Sequence, residues 1–379
     1  MATSLVSRAA PAAPLKVGVI GHTGRGNYGH GLDRVWLRIP STRIVAVADP
    51  VEKGRKDCLK RLGVENGYAD YRLMLQREKP DLVAVGPRHA DQHRDMMLAA
   101  IQQGVKGLYV EKPFVRTLAE ADEVIAAATA KQVKIAVAHR NRYHPALQTV
   151  KTLLADGAIG EVLEVRARGK CDRRGGGEDL WVLGSHLFNM LAFLFGNPQR
   201  CAASMLKDGK LVAPADVIEG AEGLGPLAGN ELRAKYQLGD GTWATFDSKA
   251  KDGSSGYAMQ IVGSKGAIHV MVDRTPLAYF VAGNPFLPEK ADRNWVPISS
   301  KGIGEKEPLT QIGEEVATHQ TAAEDLVAAV RGNRSPLCDA DEGRWTLEFI
   351  LGAFASHVQG GGMIELPLEN RENPLANWK

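Results

Sequence analysis

Five short runs, residues 17–20, 44–48, 82–85, 107–110 and 135–138, are apolar at nearly every position and lie within about 125 residues of one another. Runs of that kind suit strands buried on both faces, as parallel strands covered by helices are. Helix-patterned stretches at 53–62, 71–77, 91–103 and 117–131 separate them, the last opened by the capping-box sequence Thr117-Leu-Ala-Glu120. Another stretch compatible with a helix, through Leu32, Val35, Trp36 and Ile39, follows the first run. Strand and helix in strict alternation predict a doubly wound parallel sheet.

From about residue 141 the pattern changes. A helix is expected at 146–154 and two-residue alternation begins at 162–168. Two hairpins are predicted, 232–238 with 242–246 across Gly239-Asp240-Gly241, and 259–262 with 267–271 across a second glycine turn. Stretches 219–229 and 299–313 read as loops, 324–330 and 343–357 as late helices. The expected architecture is α/β: an N-terminal Rossmann domain at 15–140 and a C-terminal α+β domain with an open, mostly antiparallel sheet at 141–379. Residues 1–14, rich in Ala and Pro without the apolar core of a secretory signal, read as a disordered lead-in.

Composition narrows the function. With 379 residues, two cores are expected. Lys plus Arg number 47 against 44 Asp plus Glu, a formal net charge of +3 with no dense basic run, which excludes a nucleic-acid surface. No segment approaches the ~20 apolar residues of a membrane span. Four cysteines without a C-x-x-C pair read as free thiols in a reducing compartment, so a cytoplasmic location is expected.

Three motifs carry chemistry. The first run ends in Gly21-His22-Thr23-Gly24-Arg25-Gly26, and the second in Asp49. Glycines there allow a tight turn and let backbone N–H groups approach a pyrophosphate, while the acid accepts hydrogen bonds from the ribose hydroxyls. Asp49 repels a 2′-phosphate and so favours NAD over NADP, a preference that Lys53 and Arg55 could soften. Glu111-Lys112-Pro113 closes the fourth run, at the sheet edge where ligands gather; Lys112 could hydrogen-bond a substrate hydroxyl, or could be a surface lysine before a proline loop. His186, after Gly184-Ser185, could take a hydroxyl proton or be a core histidine satisfied by a carbonyl. The histidines show no metal-ligand grouping: His89 and His93 are four apart without a third ligand, so no metal is expected.

Together these residues, with Val47-Ala-Asp49, Pro87 and His93, Asn141-Arg-Tyr-His-Pro145, Ile159-Gly-Glu161, the 175–186 segment, Gly263-Ser-Lys-Gly-Ala267 and Asp341-Glu-Gly343, resemble the glucose–fructose oxidoreductase / inositol dehydrogenase (Gfo/Idh/MocA) family. The resemblance implies oxidation of a secondary hydroxyl of a sugar or polyol, or ketone reduction, with NAD(H) or NADP(H). It implies Lys112 and His186 as catalytic, and Gly86, Pro87, Glu111 and Arg140 on the cofactor side. Tyr143, Lys170, Asp172 and Arg173 are expected on the substrate side, with a solvated charged loop the alternative for 170–173. A homodimer or homotetramer is expected through the open sheet. One departure stands out: where the family carries an Asp four residues before the histidine this chain has Val182, and where it carries a second Asp it has Asn189. His186 then works unaided, or Asp179, three positions earlier, substitutes, or the chemistry is altered. The alternatives to a dehydrogenase are redox-neutral elimination or glycoside cleavage through a keto-sugar, and a non-catalytic NAD- and sugar-binding protein.

Overall fold

The computed structural model describes residues 13–253, 256–287 and 293–379, so most of the expected lead-in lies outside the described residues. Six strands, β1 (Leu15–Ile20), β2 (Thr42–Ala48), β3 (Gly67–Tyr68), β4 (Leu82–Val85), β5 (Gly107–Val110) and β6 (Lys134–Val137), form one all-parallel sheet in the order β3-β2-β1-β4-β5-β6. Every residue of β4 and β5 is buried, as their unbroken apolar runs require. The order reverses between β1 and β4, which opens a crevice at the carboxyl ends of those two strands. The predicted cap at Thr117 forms: its hydroxyl accepts from Glu120 N at 3.1 Å, while Glu120 reaches Arg116 N rather than Thr117 N.

The helix expected after the glycine stretch, through Leu32, Val35, Trp36 and Ile39, does not form beyond one turn. Residues 21–34 run through turns, and only Val35–Arg38 closes a single 3₁₀ turn. Gly24, Gly26, Asn27, Gly29 and Gly31 all have φ between +54° and +97°, a conformation that cannot propagate a right-handed helix. Close approach demands one of these glycines outright: a Cβ on Gly26 would lie 2.2 Å from Arg88 N.

The second sheet contains β7 (Val162–Arg168), β8 (Pro198–Lys207), β9 (Lys210–Leu211), β12 (Glu231–Leu238), β13 (Trp243–Lys249), β14 (Ala258–Gly263), β15 (Gly266–Met271), β16 (Ala278–Ala282), β17 (Val296–Ser299), β18 (Gly302–Ile303) and β19 (Ile364–Glu365); β10 (Ile218–Glu219) and β11 (Pro226–Leu227) form a separate ribbon. Its order is β18-β17-β16-β15-β14-β7-β13-β12-β8-β19, with β9 on β8, and every pair is antiparallel except β13 with β7. Both expected hairpins are present, as β12–β13 and β14–β15.

The covered face of this sheet holds the helix Ser185–Phe195. Phe188 stacks on Phe349 at 4.8 Å and meets Phe246 at 5.0 Å and Tyr236 at 5.6 Å. A fully buried phenylalanine contributes about 2–3 kcal/mol, and aromatic pairing adds to that. The chain also returns to the parallel sheet: helix Gln320–Gly332 packs on β5 and β6, and Tyr109 Oη pairs with His319 Nδ1 at 2.7 Å. The helical layer of the first unit is thus completed by residues far beyond 140.

Candidate active site

The turn after β5 contains Glu111, Lys112 and a cis peptide to Pro113. It is tied to the β4 loop by His93, whose ring nitrogens face the carbonyl oxygens of Pro87 (2.6 Å), Pro113 and Phe114 (both 3.0 Å). Lys112 is buried, and its Nζ donates to the carbonyl of Val182 at 2.8 Å. Val182 lies in a π-helical turn, Leu180–Gly184, that leads into the helix carrying His186. Such wide turns interrupt the helical hydrogen-bond ladder and recur at functional sites. The motif position that lacks a carboxylate therefore still engages Lys112, through its main chain.

His186 is buried, its Nδ1 has no partner among the described residues, and the ring meets His139 edge-to-face at 5.4 Å. Burial, and then the charges of Lys112 and His139, hold its pKa well below the usual imidazole value, so the ring is neutral at pH 7. Burial also lowers the Lys112 pKa, against the pull of Glu111. Burial would raise Glu111, but its hydrogen bond and charge contact with His30 bring it to about 2. Lys112 and His186, one from each unit, line a single cavity of ≈ 290 Å³ together with Arg140, Val182, Glu222 and Asp273.

Asp273 and Glu222 were not legible as site residues. Asp273 follows β15 and is clamped: Arg140 Nε donates to Oδ1 at 3.0 Å, Arg140 Nη2 pairs with Oδ2 at 2.8 Å, and Asn141 Nδ2 donates at 2.9 Å. These bonds hold Asp273 at φ 56°, a left-handed conformation uncommon outside glycine. Burial would raise its pKa; the Arg140 bond and the nearby His186 lower it instead. Glu222, from the stretch read as a loop, stands 3.5 Å from Arg88 Nε and bridges the two units. The one signal in the sequence is Asn141 in its Asn-Arg-Tyr motif, whose side-chain amide donates to the Asp273 carboxylate and accepts from Asp273 N.

Three of the residues expected on the substrate side lie away from this cavity. Asp179 does not reach the cavity; it accepts from Ser248 Oγ at 2.6 Å and Cys171 N at 3.3 Å. Tyr143 is buried in the core, its hydroxyl accepting from Cys338 N at 3.2 Å. Arg173 is exposed and lines neither this cavity nor the ≈ 680 Å³ basin that adjoins it at Lys170, Leu183 and Asp273; Arg174 lines the cavity instead. Lys170 lines both, and Asp172, held by Arg174 at 2.6 Å, lines the basin. The four cysteines are buried and unpaired. Among the described residues no cluster of three His, Cys, Asp or Glu could hold a metal ion, and no helix is long and apolar enough to cross a membrane.

A second cavity, ≈ 440 Å³, lies at the carboxyl ends of β1 and β2 and is lined by Gly21, His22, Arg25, Asp49, Arg72 and Met96 among others. Asp49 lines it with a carboxylate already accepting from Thr23 N (3.1 Å), Thr23 Oγ1 (2.7 Å) and Val51 N (2.9 Å). Between the two cavities runs the β4 loop, from Gly86 and Pro87 onward, where Asp91 Oδ1 and Gln92 Nε2 are buried without partners. Gly24, at the tip of the glycine loop, faces open space. Two cavities flanking the switch point, with orphaned polar atoms between them, fit a dinucleotide laid across the sheet edge. The cradle differs from the expected one in having no helix N-terminus behind the glycines.

Two sequence families match. Residues 15–139 match the Gfo/Idh/MocA oxidoreductase family, NAD-binding Rossmann fold, and residues 147–269 match the GFO/IDH/MocA C-terminal domain. A D-apiose dehydrogenase of Paraburkholderia graminis is 33% identical over 192 residues, 48% of this chain and 51% of that protein. The chain thus aligns with only about half the length of that relative, and with 37% of a trans-1,2-dihydrobenzene-1,2-diol dehydrogenase of Xenopus laevis, 32% identical over 125 residues, 33% of this chain. In fold, the chain superposes on a levoglucosan dehydrogenase in complex with NADH and levoglucosan with a TM-score of 0.73 at 18% identity, covering 93% of this chain and 99% of that one. With both halves matched in order, and the sheets arranged as described, the chain belongs to the GFO/IDH/MocA family of oxidoreductases.

Proposed function

We propose that the protein is an NAD-dependent oxidoreductase that moves a hydride between nicotinamide and a secondary hydroxyl or ketone of a sugar, a polyol or a derivative. The observation that carries this reading is the convergence of Lys112 and His186, from separate units, on one ≈ 290 Å³ cavity at the carboxyl ends of the parallel strands. The cofactor, when bound, would supply the hydride acceptor or donor; Gly21, His22, Arg25 and Asp49 would hold its adenosine end, and the residues around Lys112 its reactive end. The buried negative charge of Asp49 favours NAD, although Arg72 lines the same cavity.

One of the three ammonium donors of Lys112 is spent on Val182, leaving two for a substrate hydroxyl. A positive charge in that buried place favours the alkoxide over the alcohol. His186, neutral and with its Nδ1 sealed in the protein, accepts the hydroxyl proton at Nε2. The resulting imidazolium would be uncomfortable beside Lys112, and the Asp273 carboxylate, held on the cavity wall by Arg140, offsets that charge. Asp273 thereby takes the part that the motif acid would play at position 182. Two of the relatives' names support a carbohydrate, apiose and levoglucosan, while a third names a cyclic dihydrodiol, also a secondary alcohol.

The test is purified protein with NAD and a carbohydrate panel, read at 340 nm. Turnover is expected, and Lys112→Ala and His186→Ala should each lower kcat by 10²-fold or more, the usual size of a lost general acid–base or charge-stabilising group. Unchanged turnover in both variants refutes the assignment. Product without net NADH would move the reaction to the redox-neutral class.

A further inference from the structure

The catalytic cavity is not closed on its outer side. Past Lys170, Leu183 and Asp273 it continues into a basin of ≈ 680 Å³, more than twice its own volume. The inner space has to take the reacting ring beside the cofactor's reactive end, so a substrate using both parts extends beyond that ring. The charges along this path are unbalanced. Its carboxylates are engaged, Asp172 by Arg174 at 2.6 Å, Asp273 by Arg140 at 2.8 Å and Glu222 by Arg88 at 3.5 Å. Lys251 and Arg274 line the basin with no ion-pair partner among the described residues, and Lys170 stands 3.7 Å from an Asp172 that Arg174 already holds. His269, also on the wall, has its pKa lowered by burial and adds no charge at pH 7. The basin wall therefore carries three cations, Lys170, Lys251 and Arg274, against two carboxylates that are already engaged, which leaves it net positive. Concave walls focus such a field toward an anionic ligand, and an arginine fork matches carboxylate and phosphate oxygens.

We propose that the substrate carries an anionic group, a carboxylate or a phosphate ester, which rests on Lys170, Lys251 and Arg274 while the reacting hydroxyl reaches Lys112 and His186. This rests on the proposed function for which hydroxyl reacts, but not for the charge preference. The experiment is calorimetry on the full chain with NADH present, using glucose, glucuronate and glucose 6-phosphate as matched probes. At least one acid should bind ten times more tightly than glucose at low ionic strength, the advantage shrinking in 0.5 M salt as screening predicts; the tighter of the two identifies the anion. In the charge-reversed double variant Lys251→Glu/Arg274→Glu the ratio should fall to one or below. Equal binding of all three probes overturns the proposal, as does an unchanged ratio in the variant. So does a variant that changes only the sedimentation of the protein, which would make the basin wall a contact between copies. Tight acid binding with no turnover of any probe would sink the oxidoreductase reading and leave the anion site standing.

Discussion

Lowering the pH should unfold this protein unusually early, and the reason lies in buried histidines rather than in carboxylates. Burial pushes the pKa of His139 down to about 3 and those of His144 and His319 down to about 4. In the unfolded chain each returns to about 6.5. Above pH 6.5 both states are neutral and the shift costs nothing. Below it the unfolded chain takes up protons that the folded chain refuses, so stability is lost steadily from pH 6.5 down to about 4. At pH 5 the penalty is about 2 kcal/mol per histidine, roughly 6 kcal/mol for three, against a typical total of 5–15 kcal/mol. His186 acts in the same direction. Asp179, Asp339 and Glu348, raised by burial, oppose it as they gain protons in the fold. Part of that refusal is a cap: neutral His144 Nδ1 accepts from Ala146 N at 3.1 Å at the start of helix Pro145–Ala155, and the ring loses this bond only when it is protonated in the fold, near pH 4.

Thermal melts at constant ionic strength should show Tm falling by about 10 °C or more between pH 6.5 and 5. Replacing His144 with Asn, which keeps a capping acceptor, should flatten the slope by about one proton, some 1.4 kcal/mol per pH unit. A Tm constant within 3 °C across that range would show that these rings are hydrated or protonated in the fold, and the reasoning would be wrong.

Two further substitutions probe the site. Asp273→Asn should lower kcat about tenfold while Asp273→Glu recovers part of it, because the former removes the charge facing His186; kinetics equal to those of the unmodified protein would leave Asp273 a purely structural partner of Arg140. Gly26→Ala places a methyl group 2.2 Å from Arg88 N at φ 85°, so Tm should drop by several degrees and NADH affinity, read by fluorescence titration, should weaken; neither change would mean that the glycine loop sits away from the β4 loop in solution.

What could be read from the sequence follows from how locally each feature is encoded. The parallel sheet was legible because five of its six strands carry runs that are apolar at nearly every position, a pattern that needs no partner to recognise; the two-residue β3, Gly67–Tyr68, carries none. The hairpins were legible from their glycine turns. Strand β8 was not: Cys201, Ala203 and Met205 point inward, but Ala202 and Ser204 between them are too small and neutral to make an alternation visible. The apolar spacing of Leu32, Val35, Trp36 and Ile39 suits a helix, but the left-handed turns run on to Gly31, and only Val35–Arg38 closes a turn. Lys112 and His186 stood out because each sits in a short motif with its own punctuation.

Asp179 lies away from the cavity for a geometric reason. Three positions before Val182 is the same face only on an α-helix, and Leu180–Gly184 is a π turn; Asp179 instead ends the preceding turn, Gly176–Asp179, and faces Ser248. The carboxylates that do reach the cavity come from elsewhere: Asp273 lies beyond β15 and Glu222 lies beside the β10–β11 ribbon, each brought in by an arginine of the parallel-sheet unit or its exit, Arg140 and Arg88. No spacing rule links position 273 to position 186, because the link is made by the fold of two sheets against each other. A valine at a motif position therefore reports the loss of a side chain at that point on the helix, and nothing more. Whether the cavity has lost its negative charge is decided by every segment that lines it, and here two distant segments each supply one.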